Sequence, residues 1–155
     1  MTPARPGLRV AVIGEGVCSR RVAALAERVG RAIAEAGAVL LCGGLGGVME
    51  AASRGAAQAG GLVVGLLPGF EARDANRWVR VPIVTGMDQA RNVILVRSCD
   101  AVVAVGGRYG TLSEIALALK LGRPVVGLGT WEVHGVDHVS TPEDALALIA
   151  GLLVQ

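Results

Sequence analysis

Aromatic side chains make up only 3% of this 155-residue chain: two Trp, one Tyr and one Phe. With so few large rings the core must be aliphatic, as in layered α/β proteins that pack closely through small residues, and hydrophobic residues do reach 52%. Charge of one sign is equally scarce, since 15 basic and 13 acidic residues leave a net +2. No basic stripe interleaved with aromatics is present, which argues against nucleic acid as a partner. Long apolar runs are missing too. The first apolar stretch, Leu8 to Ile13, has the length of a strand and ends in glycine, so neither a signal peptide nor a membrane span is expected. Cysteine is limited to Cys18, Cys42 and Cys99, an odd set without metal-ligand spacing. Cys42 and Cys99 lie in or beside apolar runs and read as small buried hydrophobes, a usage that fits a reducing cytoplasm.

What the chain does have is a repeated design of apolar strand, glycine-rich turn and helix. Val102–Val105 runs into Gly106-Gly107-Arg108-Tyr109-Gly110 and then Thr111-Leu112-Ser113-Glu114. Upstream, Val39–Cys42 meets Gly43-Gly44-Leu45-Gly46-Gly47 and then Val48-Met49-Glu50. Glycine lets a backbone turn tightly and approach a ligand closely. A helix that opens directly after such a turn offers unpaired N–H groups and the positive end of its dipole to an anion. Two such turns predict a site for an anionic, phosphorylated small molecule.

The rest of the chain alternates in the same way. Strands are expected at Leu8–Ile13, Val39–Cys42, Leu62–Leu67, Val81–Val84, Ala101–Val105 and Val125–Leu128. Helices are expected over Val22–Ala36, Val48–Ala59, Met87–Ser98 and Leu112–Leu121, with a last one started by Thr141 as N-cap and Pro142 at its first position. Phe70 to Arg80 is the most polar stretch and reads as a surface loop. Apolar strands separated by helices require right-handed crossovers and a mostly parallel sheet covered on both faces. The expected fold is therefore α/β: one Rossmann-like, doubly wound domain over residues 1–155, with residues 1–7 as a flexible leader. Such sheets bind ligands beyond the carboxyl ends of their strands, where both glycine-rich turns fall.

Some motifs carry less. Gly14-Glu15-Gly16 lacks the third glycine of a dinucleotide fingerprint and is most simply a tight strand-to-helix connection. The turn at Gly106 has no Lys-Ser/Thr pair, so Walker-type ATP hydrolysis is not expected. Thr111-x-x-Glu114 has the form of a capping box, in which Glu114 would satisfy orphan N–H groups; alternatively Glu114 faces the ligand. Arg91 opposes the acidic first turn that helices prefer, which makes it an anion-contact candidate. Arg91 and Arg108 are both expected to serve ligand charge rather than fold stability. His134 and His138 sit near Glu132 and Asp137, but Gly135 and Val136 argue for a loop without helical geometry, and no metal site is expected.

The two glycine motifs, taken in order, resemble the superfamily once labelled lysine-decarboxylase-like. It contains the cytokinin-activating phosphoribohydrolases of the Lonely Guy (LOG) family and the molybdenum cofactor carrier proteins. The resemblance runs from Arg9 to about Leu128. In the phosphoribohydrolases it implies Glu114 and Arg91 as catalytic residues, with Gly110 and Thr111 in the phosphate-cradling turn. This chain departs from that pattern: Gly106 stands at the proline position, Arg108 at a glycine position and Asn92 at the lysine position. The segment Thr85–Asn92 with the turn at Gly106 looks closer to the carrier branch, which implies binding of a molybdopterin-type cofactor, an anionic pterin phosphate, without turnover. The alternative is cleavage of the N-glycosidic bond of a nucleoside 5'-monophosphate. The residues expected around the ligand are Gly14, Gly43, Gly44, Gly46, Gly47, Glu50, Arg91, Asn92, Gly106, Gly107, Arg108, Gly110, Thr111 and Glu114. A homodimer or homotetramer is also implied.

Overall fold

The computed structural model describes residues 7–154, so residues 1–6 of the expected leader lie outside the described residues. The first half runs β1 (Arg9–Gly14), α1 (Arg20–Glu35), β2 (Val39–Cys42), α2 (Val48–Gln58), β3 (Val63–Leu67) and β4 (Val81–Val84). The second half runs α3 (Arg91–Ser98), β5 (Ala101–Val105), α4 (Tyr109–Lys120), β6 (Val125–Leu128), β7 (Val136–His138) and α5 (Pro142–Leu152). All pairings are parallel, in the order β4-β3-β2-β1-β5-β6-β7. The chain lays its strands outward from β1 to β4, then returns to place β5 on the other side of β1. The strand order therefore reverses between β1 and β5, the position at which open α/β sheets form their ligand crevice.

Strand alternation divides the core in two. Val10 and Val12 pack on one face with Ala26, Val29 and Ile33 of α1, Ala52 of α2 and Ile149 of α5. Ala11 and Ile13 face the other way, toward Leu95 and Val96 of α3 and Ile115 of α4. Every residue of β5 is buried, as a central parallel strand requires. Small residues let α1 and α2 approach closely: a Cβ added at Gly30 would lie 1.9 Å from the Ala52 carbonyl oxygen, and one at Gly55 1.9 Å from that of Glu27. Three helices stop alike, with left-handed glycines at Gly37, Gly60 and Gly122. The residue after each glycine donates back to a carbonyl of the helix's last turn, Ala38 to Ile33, Gly61 to Ala56 and Arg123 to Ala118.

The expected α/β architecture is present, with several changes of boundary. Helix α1 starts at Arg20 rather than Val22, because Ser19 is its N-cap and accepts from the Val22 N–H at 3.2 Å. Helix α4 starts at Tyr109, three residues before the expected Leu112. The expected helix from Met87 is only a 3-10 turn over Asp88–Ala90 before α3 begins at Arg91. The stretch around Val136, expected as a loop, forms the seventh strand, pairing Val125 with Val136 and Gly127 with His138. The N-cap of α5 is as expected: the Thr141 hydroxyl accepts from the Asp144 N–H at 3.1 Å, and Pro142 stands at the helix start. No helix among the described residues is long and apolar enough to cross a membrane.

Candidate functional site

The turns after β1, β2 and β5 converge with the start of α3 on one cleft of about 630 Å³ at the carboxyl edge of the sheet. Of the residues singled out from the sequence, Gly14, Gly43 and Gly46 line it from the first two turns, and Arg91 and Asn92 from α3. Arg108, Gly110, Thr111 and Glu114 line it from the β5–α4 side. Gly44, Gly47, Glu50, Gly106 and Gly107 are not on its wall. Several of these shape the wall from behind. Gly47 is the N-cap of α2 at φ 63°, and a Cβ there would meet the Glu15 carbonyl oxygen at 2.2 Å. That absence of a side chain allows the Val48 N–H to donate to the Glu15 carbonyl at 3.0 Å, tying the first two turns together. Gly107 leaves space for Thr111, whose Cβ would otherwise be 2.4 Å away.

The capping-box expectation for Thr111 and Glu114 does not hold. Helix α4 begins at Tyr109 with no side-chain cap, so Thr111 is already a helical residue, and Glu114 lies one turn further in. The first intrahelical bond runs from Leu112 N–H to the Arg108 carbonyl at 2.9 Å, so Tyr109, Gly110 and Thr111 carry the helix's orphan N–H groups. Thr111 and Glu114 share the face of α4 turned to the cleft, the spacing of neighbours on a helix surface. Burial pushes the Glu114 carboxyl up to about 7, and the nearby Arg91 guanidinium opposes that rise. Glu114 is thus a carboxyl able to exchange a proton near neutrality.

Arg91 corrects a second expectation. It is expected from the sequence to serve ligand charge rather than fold stability, yet only 8% of it is exposed and its guanidinium is tied into the fold. Its Nε donates to the Leu66 carbonyl at 2.9 Å, and Nη1 donates to the Asn92 Oδ1. A Cβ at Gly43 would lie 2.7 Å from Arg91 Nη2, so the glycine makes room for the guanidinium against the second turn. Burial lowers the Arg91 pKa and Glu114 counters this. The loop before it is fastened to the end of β3. Thr85 Oγ1 donates to the Leu67 carbonyl at 2.7 Å, the Gly86 N–H to that of Gly69 at 2.8 Å and the Asp88 N–H to that of Pro68 at 3.0 Å. Asp88 holds φ at 49°, the left-handed region that short polar side chains tolerate. Arg91 therefore serves both the fold and the cleft.

Arg108 is the opposite case, with 85% of its side chain exposed. Its Nε donates to Glu15 Oε2 at 3.1 Å across the mouth of the cleft. Its carbonyl accepts from Trp131 Nε1 at 2.9 Å, and the Trp131 ring rests 5.7 Å from that of Tyr109. Glu15 lines the cleft, as does Gln89, and neither was singled out from the sequence. A polar residue between the two glycines of the first turn was the available signal for Glu15. Elsewhere, Cys42 and Cys99 are buried as expected, and burial raises both thiol pKa values. His134 and His138 are exposed near the far edge of the sheet. No group of three or more His, Cys, Asp or Glu among the described residues could hold a metal ion.

Known proteins align closely with this arrangement. The model of the SLOG cluster4 family matches residues 7–150. An uncharacterized protein of Archaeoglobus fulgidus is 49% identical over 141 residues, 90% of this chain and 92% of that protein. The molybdenum cofactor binding protein of the phototrophic bacterium Rippkaea orientalis superposes with a TM-score of 0.86 at 38% identity, over 96% of this chain and 98% of the other. The molybdenum cofactor carrier protein of Chlamydomonas reinhardtii superposes with a TM-score of 0.89 at 36% identity, over 96% and 99%. With residues 7–150 matched by the family's model, the chain belongs to the SLOG cluster4 family.

Proposed function

We propose that this protein binds molybdenum cofactor in the cleft and carries it without chemical change. The observation that bears most weight is the convergence, in one cleft of about 630 Å³, of the α4 helix start with Arg91 and Arg108. That volume lies within the range of small-molecule sites, roughly 300–1,000 Å³. Orphan N–H groups at Gly110 and Thr111 suit a terminal phosphate, and Arg108 reaches the same rim to add a charge-assisted hydrogen bond. The buried Arg91 supplies a second positive charge deeper in. Leu45, Met49 and Pro68 give the cleft an apolar wall suited to a flat heterocycle. The solved relatives named as molybdenum cofactor proteins support the same ligand.

A nucleotide-cleaving reaction would use the same cleft, and one observation favours it: Glu114 titrates at about 7 beside Arg91, where it could assist glycosidic bond cleavage. The departures at Gly106, Arg108 and Asn92 weigh for the carrier. Self-association belongs to the same proposal. Val81, Ile83 and Val84 of β4, with Phe70 and Met87 beside them, are exposed apolar residues, and a second copy of the chain would cover this edge. The deciding experiment is to purify the protein from cells that make molybdenum cofactor and identify the bound molecule by mass spectrometry, with elemental analysis for molybdenum. A pterin phosphate in near-stoichiometric amount is expected. A nucleoside monophosphate in its place would overturn the carrier function.

A further inference from the structure

The ion pair between Glu15 and Arg108 occupies the place where the strand order reverses. Glu15 comes from the turn that leads β1 into α1 on one face of the sheet, and Arg108 from the turn that leads β5 into α4 on the other. Their side chains meet across the crevice at 3.1 Å. The other carboxylate oxygen of Glu15, Oε1, lies 3.7 Å from where a Cβ of Gly106 would be. A negatively charged group thus sits directly over the β5–α4 turn, beside the helix start that suits an anion. We infer that Glu15 is a built-in competitor for the anion site, holding Arg108 until the anionic group of a ligand takes its place.

The exchange needs little from the backbone. The Glu15 carbonyl is held by the Val48 N–H at 3.0 Å, and the Arg108 carbonyl by Trp131 Nε1 at 2.9 Å. Both main chains are fixed, so rotation of two side chains is enough to part the ion pair. The pair is also weak enough to yield. Glu15 is largely covered at 20% exposure, but the Arg108 side chain is 85% exposed and solvent screens the pair; solvent-screened pairs hold their partners by only about two- to fivefold in equilibrium terms. A phosphate dianion, which carries more charge than a carboxylate and more acceptor oxygens, displaces it. Glu15 thereby sets a threshold that discriminates against weak or singly charged anions. This inference rests on the cleft binding an anion, as the proposed function requires, but not on the identity of the molecule that carries it.

The test uses inorganic phosphate as the probe, titrated by calorimetry at constant ionic strength into the whole protein and its variants. Glu15→Gln keeps the shape and removes the charge; it should bind phosphate about two- to fivefold more tightly than the parent. Glu143→Gln removes the same charge from the start of α5, away from the cleft, and should leave phosphate affinity unchanged. In an Arg108→Ala background the Glu15→Gln gain should shrink, because only the direct repulsion between carboxylate and phosphate is then relieved. Equal or weaker binding by Glu15→Gln would overturn the inference, and so would a gain that persists undiminished without Arg108 or that Glu143→Gln reproduces. Failure of phosphate to bind Glu15→Gln at all would do the same. A purified protein carrying no pterin would count against the carrier function alone, so the two proposals fail separately.

Discussion

Arg91 donates from Nε to the main-chain carbonyl of Leu66, and so joins the first turn of α3 to the strand β3 that passes beneath it. Arg108 makes no comparable link and spends its side chain on Glu15 at the surface. The two arginines of the cleft therefore separate in their consequences. Arg91→Ala strands a buried carbonyl and the Asn92 amide, at a cost of about 2 kcal/mol or more, and should lower the melting temperature together with phosphate affinity. Arg108→Ala should leave stability within about 0.5 kcal/mol while weakening phosphate binding on the order of tenfold. Thermal melts beside calorimetric titrations read both quantities. An Arg91→Ala variant as stable as the parent would remove its structural role.

Glu114 should make stability depend on pH. The folded protein keeps this proton up to about pH 7, whereas a carboxyl with the ordinary value of 4.5 has already lost it. Between those values the folded state holds more protons than the unfolded one, so stability falls as pH rises through the window and stays reduced above it. Glu114→Gln should match the parent near pH 4 and exceed it at pH 8 by up to about 3 kcal/mol. Denaturant melts at pH 4, 6 and 8 measure the difference. A gap that is the same at every pH would mean that Glu114 does not titrate in this range.

A carrier should not release base. Incubation with adenosine or isopentenyladenosine monophosphate is expected to yield little or no free base by chromatography. Efficient release that disappears in Glu114→Ala would promote the phosphoribohydrolase to first place.

The apolar edge at β4 should be covered in solution. Ile83 is 43% exposed, and placing a charge there through Ile83→Glu should shift the protein toward monomer in sedimentation velocity while the fold is retained. A parent protein that is monomeric throughout would rule out self-association through this edge.

The fold was largely legible because parallel strands buried on both faces leave continuous apolar runs, and glycines mark where α1, α2 and α4 stop. Strand β7 left no such run: it is three residues long and includes the exposed Asp137 and His138, so its register comes from β6 rather than from its own composition. Within the cleft, Arg91, Glu114 and the glycines beside them were recognisable from motif and position. The pairing of Glu15 was not, since its partner Arg108 lies 93 residues away in the chain. The Thr111-x-x-Glu114 spacing suggested a cap, but the helix had already begun at Tyr109, and spacing alone does not say which turn comes first. Arg91 looked expendable to the fold because its anchor is a main-chain carbonyl, which no side-chain pattern reveals.

Both borders of the seven-stranded sheet are closed to further growth by different means. On one side β4 has Pro82 at its centre, a residue with no N–H to offer an added strand. On the other, β7 is too short and too polar to template one. A chain so rich in Val, Leu and Ala would otherwise present two ready surfaces for fibrillar stacking. Copies that associate as proposed would have to meet through side chains, which favours assemblies of finite size over one continuous sheet.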